Sequence, residues 1–423
     1  MTAMQSRVVA LALLSLTACD GEGRQVLEPI LELPRQLSPA ELQVIDNSNA
    51  FGFDLFGRVH AAETGPNVFL SPLSASMALG MVMNGAAGET WDQMRAALHF
   101  GTLPEEEINA SYRGLLDLLL DLDPRVTVRI GNSVWSREGF PVQPTFLSTL
   151  NEYFDAEARE MDFDSPGTVN AINAWASEAT NGRIEKVLDS IGPEMFMFLL
   201  NALYFKGTWQ REFDPDRTQP APFTREDGSQ VTVPMMSLPA GEPLLYGGSS
   251  GYEAIELAYG GAAYAMTVVL PASGATLSDL VSRLNADAWN GLISSLDSAG
   301  MAIRIPRFRL EYEKYLNVPL VDMGMPLAFG PDADFTRLTS PGGVCIQFVK
   351  QNTFVEVNEE GTEAAAVTSV GVGVTSAPPT FVVDRPFLFA IRERLSGTIL
   401  FLGTIGDPTA EEGTMAVRPA PGC

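Results

Sequence analysis

The chain has 423 residues, 46 % of them hydrophobic, and a formal net charge of −25 at pH 7. That length leaves one large domain or two smaller ones open, and the apolar share supports a substantial core. The acidity argues against a nucleic-acid partner, whose phosphates call for Lys and Arg, and against charge-driven binding to anionic lipid.

The chain opens on a targeting pattern. Arg7 precedes the apolar run "VVALALLSLTA", too short to cross a bilayer as a mature helix. It closes on Leu16-Thr17-Ala18-Cys19, which resembles the lipobox of bacterial lipoproteins. The resemblance makes 1–18 a lipoprotein signal peptide. Cys19 becomes the lipidated first residue of a protein held at the cell envelope, periplasmic or at the surface. An ordinary secretory signal is the alternative. Residues 19–40, Pro-containing and without a period, read as a flexible tether.

From Ala40 the pattern turns globular. "AELQVIDNSNAFGFDLFGRVH" has helical spacing at Leu42, Ile45, Phe51, Leu55 and Val59. "SPLSASMALGMVMNGAAGETWDQMRAAL" starts a helix at Ser71-Pro72 and is broken at Gly85 and Gly88. "VTVRIGNSVWS" and "MFMFLLNALYFKGTW" read as strands. The second is almost wholly apolar and is expected at the centre of a sheet, buried on both faces. Between 220 and 310 strands dominate, interrupted by the helical "TLSDLVSRLNADAWNGLISSL". Two more strands meet at a tight turn at Ser396-Gly397. Helices come first and strands later without regular alternation, so the class is α+β. Residues 409–423 read as a disordered tail.

The motifs of catalysis do not assemble. There are two histidines, His60 and His99, each in a helical stretch with no partner suggested by spacing. No HExxH, CxxC, P-loop or GxGxxG is present, so neither a metal nor a cofactor is expected. The cysteines, Cys19, Cys345 and Cys423, do not form a disulfide framework. Cys345, in "GVCIQFVK", is expected to pack as a small hydrophobe, with a bridge to Cys423 the lesser alternative.

One stretch asks for a different explanation. After the alternating "VEVN", the chain from Gly361 to Ser376 holds almost only Gly, Ala, Val, Thr and Ser. Read as a strand, one face carries Thr362, Ala364, Ala366, Thr368, Val370, Val372 and Val374, with no charge and no large side chain. The other carries the single charge, Glu363. The segment can enter a sheet at little desolvation cost, yet Gly371, Gly373, Pro378 and Pro379 favour an exposed loop.

"VEVNEEGTEAAAVTS" resembles the hinge of the serpin family, and further serpin-like motifs follow the family's order. They include "NVFLSPLSASMALGMVMNGAAGET", "TNGRI", "NALYFKGTWQREF", "MTVVLP", "IPRF", "DRPFLFAIRE" and "ILFLGTIGDP". The resemblance covers roughly 41–408. It implies a serpin fold: one domain with three β-sheets, about eight or nine helices and an exposed reactive-centre loop. It also implies a suicide-substrate inhibitor of serine proteases, which traps the acyl-enzyme when the cleaved loop inserts into the main sheet.

By the same resemblance the hinge is Glu359, Gly361, Thr362, Glu363, Ala364, Ala365 and Ala366, and the scissile bond joins Thr375 to Ser376. Val372, Val374 and Thr375 set specificity: small apolar side chains fit a small apolar pocket, hence elastase-like targets, with cysteine proteases second. Gly371 and Gly373 weigh against high affinity. Ser71, Ser74, Asn201 and Gln351 fall at the shutter and Trp209 at the breach. Gln351 is a departure, since many members carry His there. Lys206 and Gly207 fill structural roles. A monomer is expected, partnered by its target protease and by a membrane through Cys19. The alternative is a non-inhibitory serpin-fold binding or chaperone-like protein whose loop is only a substrate.

Overall fold

The computed structural model describes residues 29–241, 243–362 and 379–410, with the backbone of 412–413. Among the described residues there are nine α-helices and three sheets, an α+β architecture. The first helix, Pro39–Ala62, starts on a complete capping box: Ser38 Oγ accepts the Glu41 N–H and the Glu41 carboxylate accepts the Ser38 N–H. The second, Pro72–Met83, is capped by Ser71, and the chain breaks after it before resuming as Gly88–Ala97.

The main sheet has seven strands in the order Glu412–Gly413, Phe308–Tyr315, Lys350–Val357, Gly361–Thr362, Met197–Thr208, Val126–Arg137, Glu157–Met161. The second seven-stranded sheet contains the two fully buried strands Phe387–Glu393 and Ile399–Ile405. Thr380–Val382, which follows the quoted stretch, pairs in parallel with Ala302–Pro306 in a four-stranded sheet.

Met197–Thr208 holds the expected central position but is not buried on both faces. Leu199, Leu200, Asn201 and Leu203 are half-buried; among the described residues the neighbour on one side pairs with this strand at Gly361 and Thr362, and a cavity opens beside the rest. Asn181 and Gly182, both at positive φ, end the helix Pro166–Ala179 and send the chain across the front of the sheet towards this strand.

Part of the span read as a tether lies against the body. The Ile30 N–H donates to Gly261 O at 2.7 Å, and Arg35 makes a bidentate pair with Glu41 while donating to Gly114 O. From the span read as a tail, Glu412–Gly413 pairs in parallel with Glu311–Tyr312. Cys345 is not the free hydrophobe expected: it is half-buried and disulfide-bonded. The apolar run around it disguised that, since burial alone explains a cysteine in such a place. No described helix is long and apolar enough to cross a membrane.

Candidate functional site

The site is the place where the chain leaves the strand Lys350–Val357 and turns back into the same sheet. Asn358 makes the turn. Its Oδ1 accepts the N–H groups of Glu360 (3.1 Å) and Gly361 (3.3 Å), and its own N–H donates to Gly361 O. Gly361 then lies so close to the central strand that a Cβ there would sit 2.0 Å from Gly207 O. No other residue fits without moving the sheet. Gly361 pairs with Thr208, and Thr362 pairs with Gly207 on one side and Val357 on the other.

Each residue of the turn is held separately. Glu359 is buried; its Oε1 accepts from Arg307 Nη2 and Thr218 Oγ1, each at 2.5 Å, and its carbonyl accepts from the Phe213 N–H. Burial pushes its carboxyl up, but the bonds from Arg307 and Thr218 outweigh burial and hold it below the usual range. Glu360 goes the other way. Burial, then the charges of Glu212 and Glu359, raise its pKa, and its Oε2 is buried without a hydrogen-bond partner among the described residues.

Trp209 closes the top. Its indole N–H donates to Asn358 O at 2.9 Å, its backbone N–H donates to Glu360 O, and its ring stacks on Tyr259 with centroids 4.4 Å apart. Tyr259 is buried, which raises its pKa, and its hydroxyl meets Thr362 Oγ1 at 2.8 Å. Gly207 makes room for that ring: a Cβ there would be 2.9 Å from Tyr259 Cδ1.

Below Thr362, among the described residues, no strand pairing joins Met197–Thr208 to Lys350–Val357. A cavity of about 360 Å³ lies between them, floored by Ala78 and Leu79 and bordered by Asn201, Gln351 and Trp175. The segment after the helix Pro166–Ala179 touches both banks. Asn181 Nδ2 donates to Tyr204 Oη at 3.4 Å on one side, while Arg183 sits over the Phe354 ring and Lys350 Nζ donates to Val187 O on the other.

The residues read as the shutter form two clusters rather than one. Gln351 clasps the backbone of Ser71, accepting from its N–H at 3.0 Å and donating to its carbonyl at 2.9 Å. Ser71 Oγ donates to Leu400 O and accepts the Ser74 N–H, so Ser71 is also the helix cap. Asn201 meets neither serine. It donates to Asn132 Oδ1 at 2.6 Å, and Asn132 donates on to Phe154 O; Asn201 Oδ1 is buried and unpartnered among the described residues.

Sequence reasoning passed over Asn132, Tyr259, Arg307 and Asn358. Only Asn132 carried a signal, as a lone amide within the apolar alternation of its strand. Glu363, Ala364, Ala365, Ala366, Val372, Val374, Thr375, Ser376 and Cys19 lie outside the described residues.

Burial lowers the pKa of His60, and His99 Nε2 lies 3.7 Å from Asp54 on the surface. Among the described residues no group of three or more His, Cys, Asp or Glu could hold a metal ion.

The profile of the family described as serpin (serine protease inhibitor) matches residues 46–408. Iripin-8 of Ixodes ricinus is 33 % identical over 386 residues, covering 88 % of this chain and 95 % of its own. The leukocyte elastase inhibitor of Sus scrofa is 33 % identical over 371 residues, covering 85 % and 97 %. Among solved structures, the native state of the thermophilic serpin tengpin superposes with a TM-score of 0.79 at 30 % identity, covering 90 % of this chain and 97 % of that one. Human thyroxine-binding globulin in complex with thyroxine superposes at 0.80 with 26 % identity, covering 88 % and 100 %. The chain belongs to the serpin family, whose members are in general protease inhibitors rather than enzymes.

Proposed function

We propose that the protein is a suicide-substrate inhibitor of serine proteases of the elastase-like class, with cysteine proteases as secondary targets. The observation that carries this reading is the position of Thr362. The leading residue of the loop is already a buried strand residue between both banks of the main sheet, its hydroxyl satisfied by Tyr259.

The reaction assigned to the loop is ordinary acyl transfer. The protease serine oxygen bonds to the Thr375 carbonyl carbon, the bond from that carbon to the Ser376 nitrogen breaks, and the freed amine takes a proton. Hydrolysis of the resulting ester competes with insertion. Continuing the register from Thr362↔Gly207 sends Ala364, Ala366 and Thr368 to the buried face opposite Phe205, Leu203 and Asn201. Insertion is therefore cheap in desolvation and gains a strand's worth of backbone hydrogen bonds. Val372, Val374 and Thr375 fit a small apolar pocket, and the relative named as a leukocyte elastase inhibitor supports that class. We further propose a lipid anchor on Cys19 that holds the inhibitor at a bacterial cell envelope.

The test mixes the chain from residue 20 with pancreatic or neutrophil elastase. A band that survives denaturant, with a released peptide beginning at Ser376, is the expected result. Cleavage without a stable complex, across elastase and a panel of serine and cysteine proteases, would favour the non-inhibitory alternative.

A further inference from the structure

The two sides of the main sheet are finished differently. On one side the last strand is Glu157–Met161, five residues long, exposed along nearly its whole length and carrying Glu157, Arg159 and Glu160. Short length and exposed charge discourage a further strand from pairing there. On the other side stands Phe308–Tyr315, eight residues long, with neither proline nor glycine. Its inner face is fixed, since Tyr312 Oη and Lys314 Nζ both donate to Glu63 Oε2 at the end of the first helix. Its outer edge is met, among the described residues, by one short strand, Glu412–Gly413. That strand runs parallel, with Glu412 opposite Glu311 and Gly413 opposite Tyr312.

The chain is sent towards this edge by a pinned turn. Asn67 is buried and commits its whole amide to it. Its Nδ2 donates to Asp407 O and Ala410 O, each at 2.9 Å, and its Oδ1 accepts the N–H groups of Gly406 and Asp407. The Asp407 carboxylate accepts from Arg225 Nε at 2.6 Å and from the N–H and hydroxyl of Thr409. Gly406 passes so close to Pro66 that a Cβ there would lie 2.5 Å from Pro66 O. These contacts fix the direction in which the chain leaves Ile399–Ile405.

The charge pattern of Phe308–Tyr315 says what its outer edge fits when uncovered. Arg309 and Glu311 are exposed, share a face and differ in sign. Laid antiparallel against a second copy of itself, with Leu310 opposite Leu310, the strand sets Arg309 against Glu311 twice and Phe308 against Tyr312 twice. Centring one residue either way sets Glu311 against Glu311 or Arg309 against Arg309, and like charges directly opposite are unfavourable.

We propose that Glu412–Gly413 is a guard strand, held by the turn at 406–410, and that the partner of the edge it covers is the same edge of a second copy of this chain, antiparallel and centred on Leu310. The guard keeps the main sheet from extending across two molecules. The proposal stands apart from the insertion reading, and trapping of elastase is no part of its test.

The experiment uses the full chain carrying Glu412→Pro/Gly413→Pro, which removes two backbone donors from the guard strand and leaves every cysteine in place. Hydrogen exchange of the peptide over Phe308–Tyr315 is followed by mass spectrometry, and mass in solution by light scattering, against wild type. The variant is expected to unfold at the wild-type temperature, to lose protection over Phe308–Tyr315 when dilute, and to dimerise with protection restored as concentration rises. On that background Glu311→Arg turns both Arg309 pairs into like-charge pairs and should weaken dimerisation by about tenfold. Adding Arg309→Glu should recover it. Amides of Phe308–Tyr315 that exchange alike in wild type and the proline variant would overturn the guard. A variant that loses protection yet stays monomeric at every concentration overturns the second copy as partner. Dimers indifferent to both charge changes overturn the register centred on Leu310.

Discussion

Tyr259 and Thr362, 103 positions apart in the chain, share a buried 2.8 Å hydroxyl–hydroxyl hydrogen bond at the point where the loop enters the main sheet. Neither oxygen has access to water, so a substitution at Thr362 must either keep a partner for Tyr259 or strand it. Thr362→Val keeps the shape and leaves the phenol unpaired, at a cost of about 1–3 kcal/mol. Thr362→Arg places a charge where a buried neutral side chain stands, and the cationic head must be dehydrated for the loop to stay. The expected outcome is that Thr362→Arg remains folded and is cut at Thr375–Ser376 but no longer traps elastase. Trapping at wild-type stoichiometry would show that this position does not lead the insertion.

Glu359 and Glu360 are adjacent carboxylates with opposite pH behaviour. The carboxyl of Glu359 is held below its ordinary 4.5, so its contribution is present above that value and is lost as pH falls through the folded pKa. That of Glu360 is raised, so its ionised form is the destabilising one, and protonation on the acid side relieves it. Glu359→Gln should lower stability at pH 7 by about 2 kcal/mol, the scale of a charge-assisted hydrogen bond with a partly solvated Arg307. It should also flatten the acid limb of the unfolding profile. Glu360→Gln should be neutral to stabilising at pH 7. Thermal melts from pH 3 to 8 on both variants check the pair; a Glu359→Gln profile parallel to wild type would remove Arg307 as the anchor of the turn.

The elements were legible because each is written locally. The alternation in Gln230–Leu238 and Tyr252–Tyr259, the Ser71-Pro72 helix start and the Ser396-Gly397 turn each need only a few neighbouring residues. Ser71, Trp209 and Gln351 were singled out through resemblance; the structure shows Gln351 bonded to the Ser71 backbone and the Trp209 indole N–H donating to Asn358 O. What was not legible is pairing across distance. Arg307 reaches Glu359 over 52 positions, and nothing around Arg307 announces it. The half-exposure of Met197–Thr208 was hidden for the same reason: an apolar strand signals that it wants neighbours, not where along its length they pack. The disulfide state of Cys345 has no local signature either.

Thr368 provides a test of the register that does not depend on the target protease. In the inserted form proposed above, continuing the pairing would put it between Asn201 and Gln351, on the face of Thr362. Asn201 Oδ1 is buried and unpartnered among the described residues, and a threonine hydroxyl donates to such an acceptor. Thr368→Val keeps the volume and removes the donor. The nicked form of Thr368→Val should be less stable than nicked wild type by about 1–2 kcal/mol, with intact forms alike. Equal loss in both forms would place Thr368 elsewhere than beside Asn201.

The anchor prediction turns on one atom. If Cys19 carries lipid, Cys19→Ala should move the protein from the membrane fraction to the soluble one in a bacterial host, while the purified body keeps its unfolding temperature. The tether between Cys19 and Ile30, which donates to Gly261, spans at most about 35–40 Å when extended. With lipid on Cys19, that length would hold the body within a few tens of ångströms of the bilayer, attached beside Tyr259 and Trp209, since Gly260 N donates to Thr208 O. Lengthening the tether by inserting Gly-Ser repeats after Glu22 should leave fractionation unchanged while improving access of elastase to the loop on intact cells. Fractionation with the membrane that persists in Cys19→Ala would assign retention to something other than this cysteine.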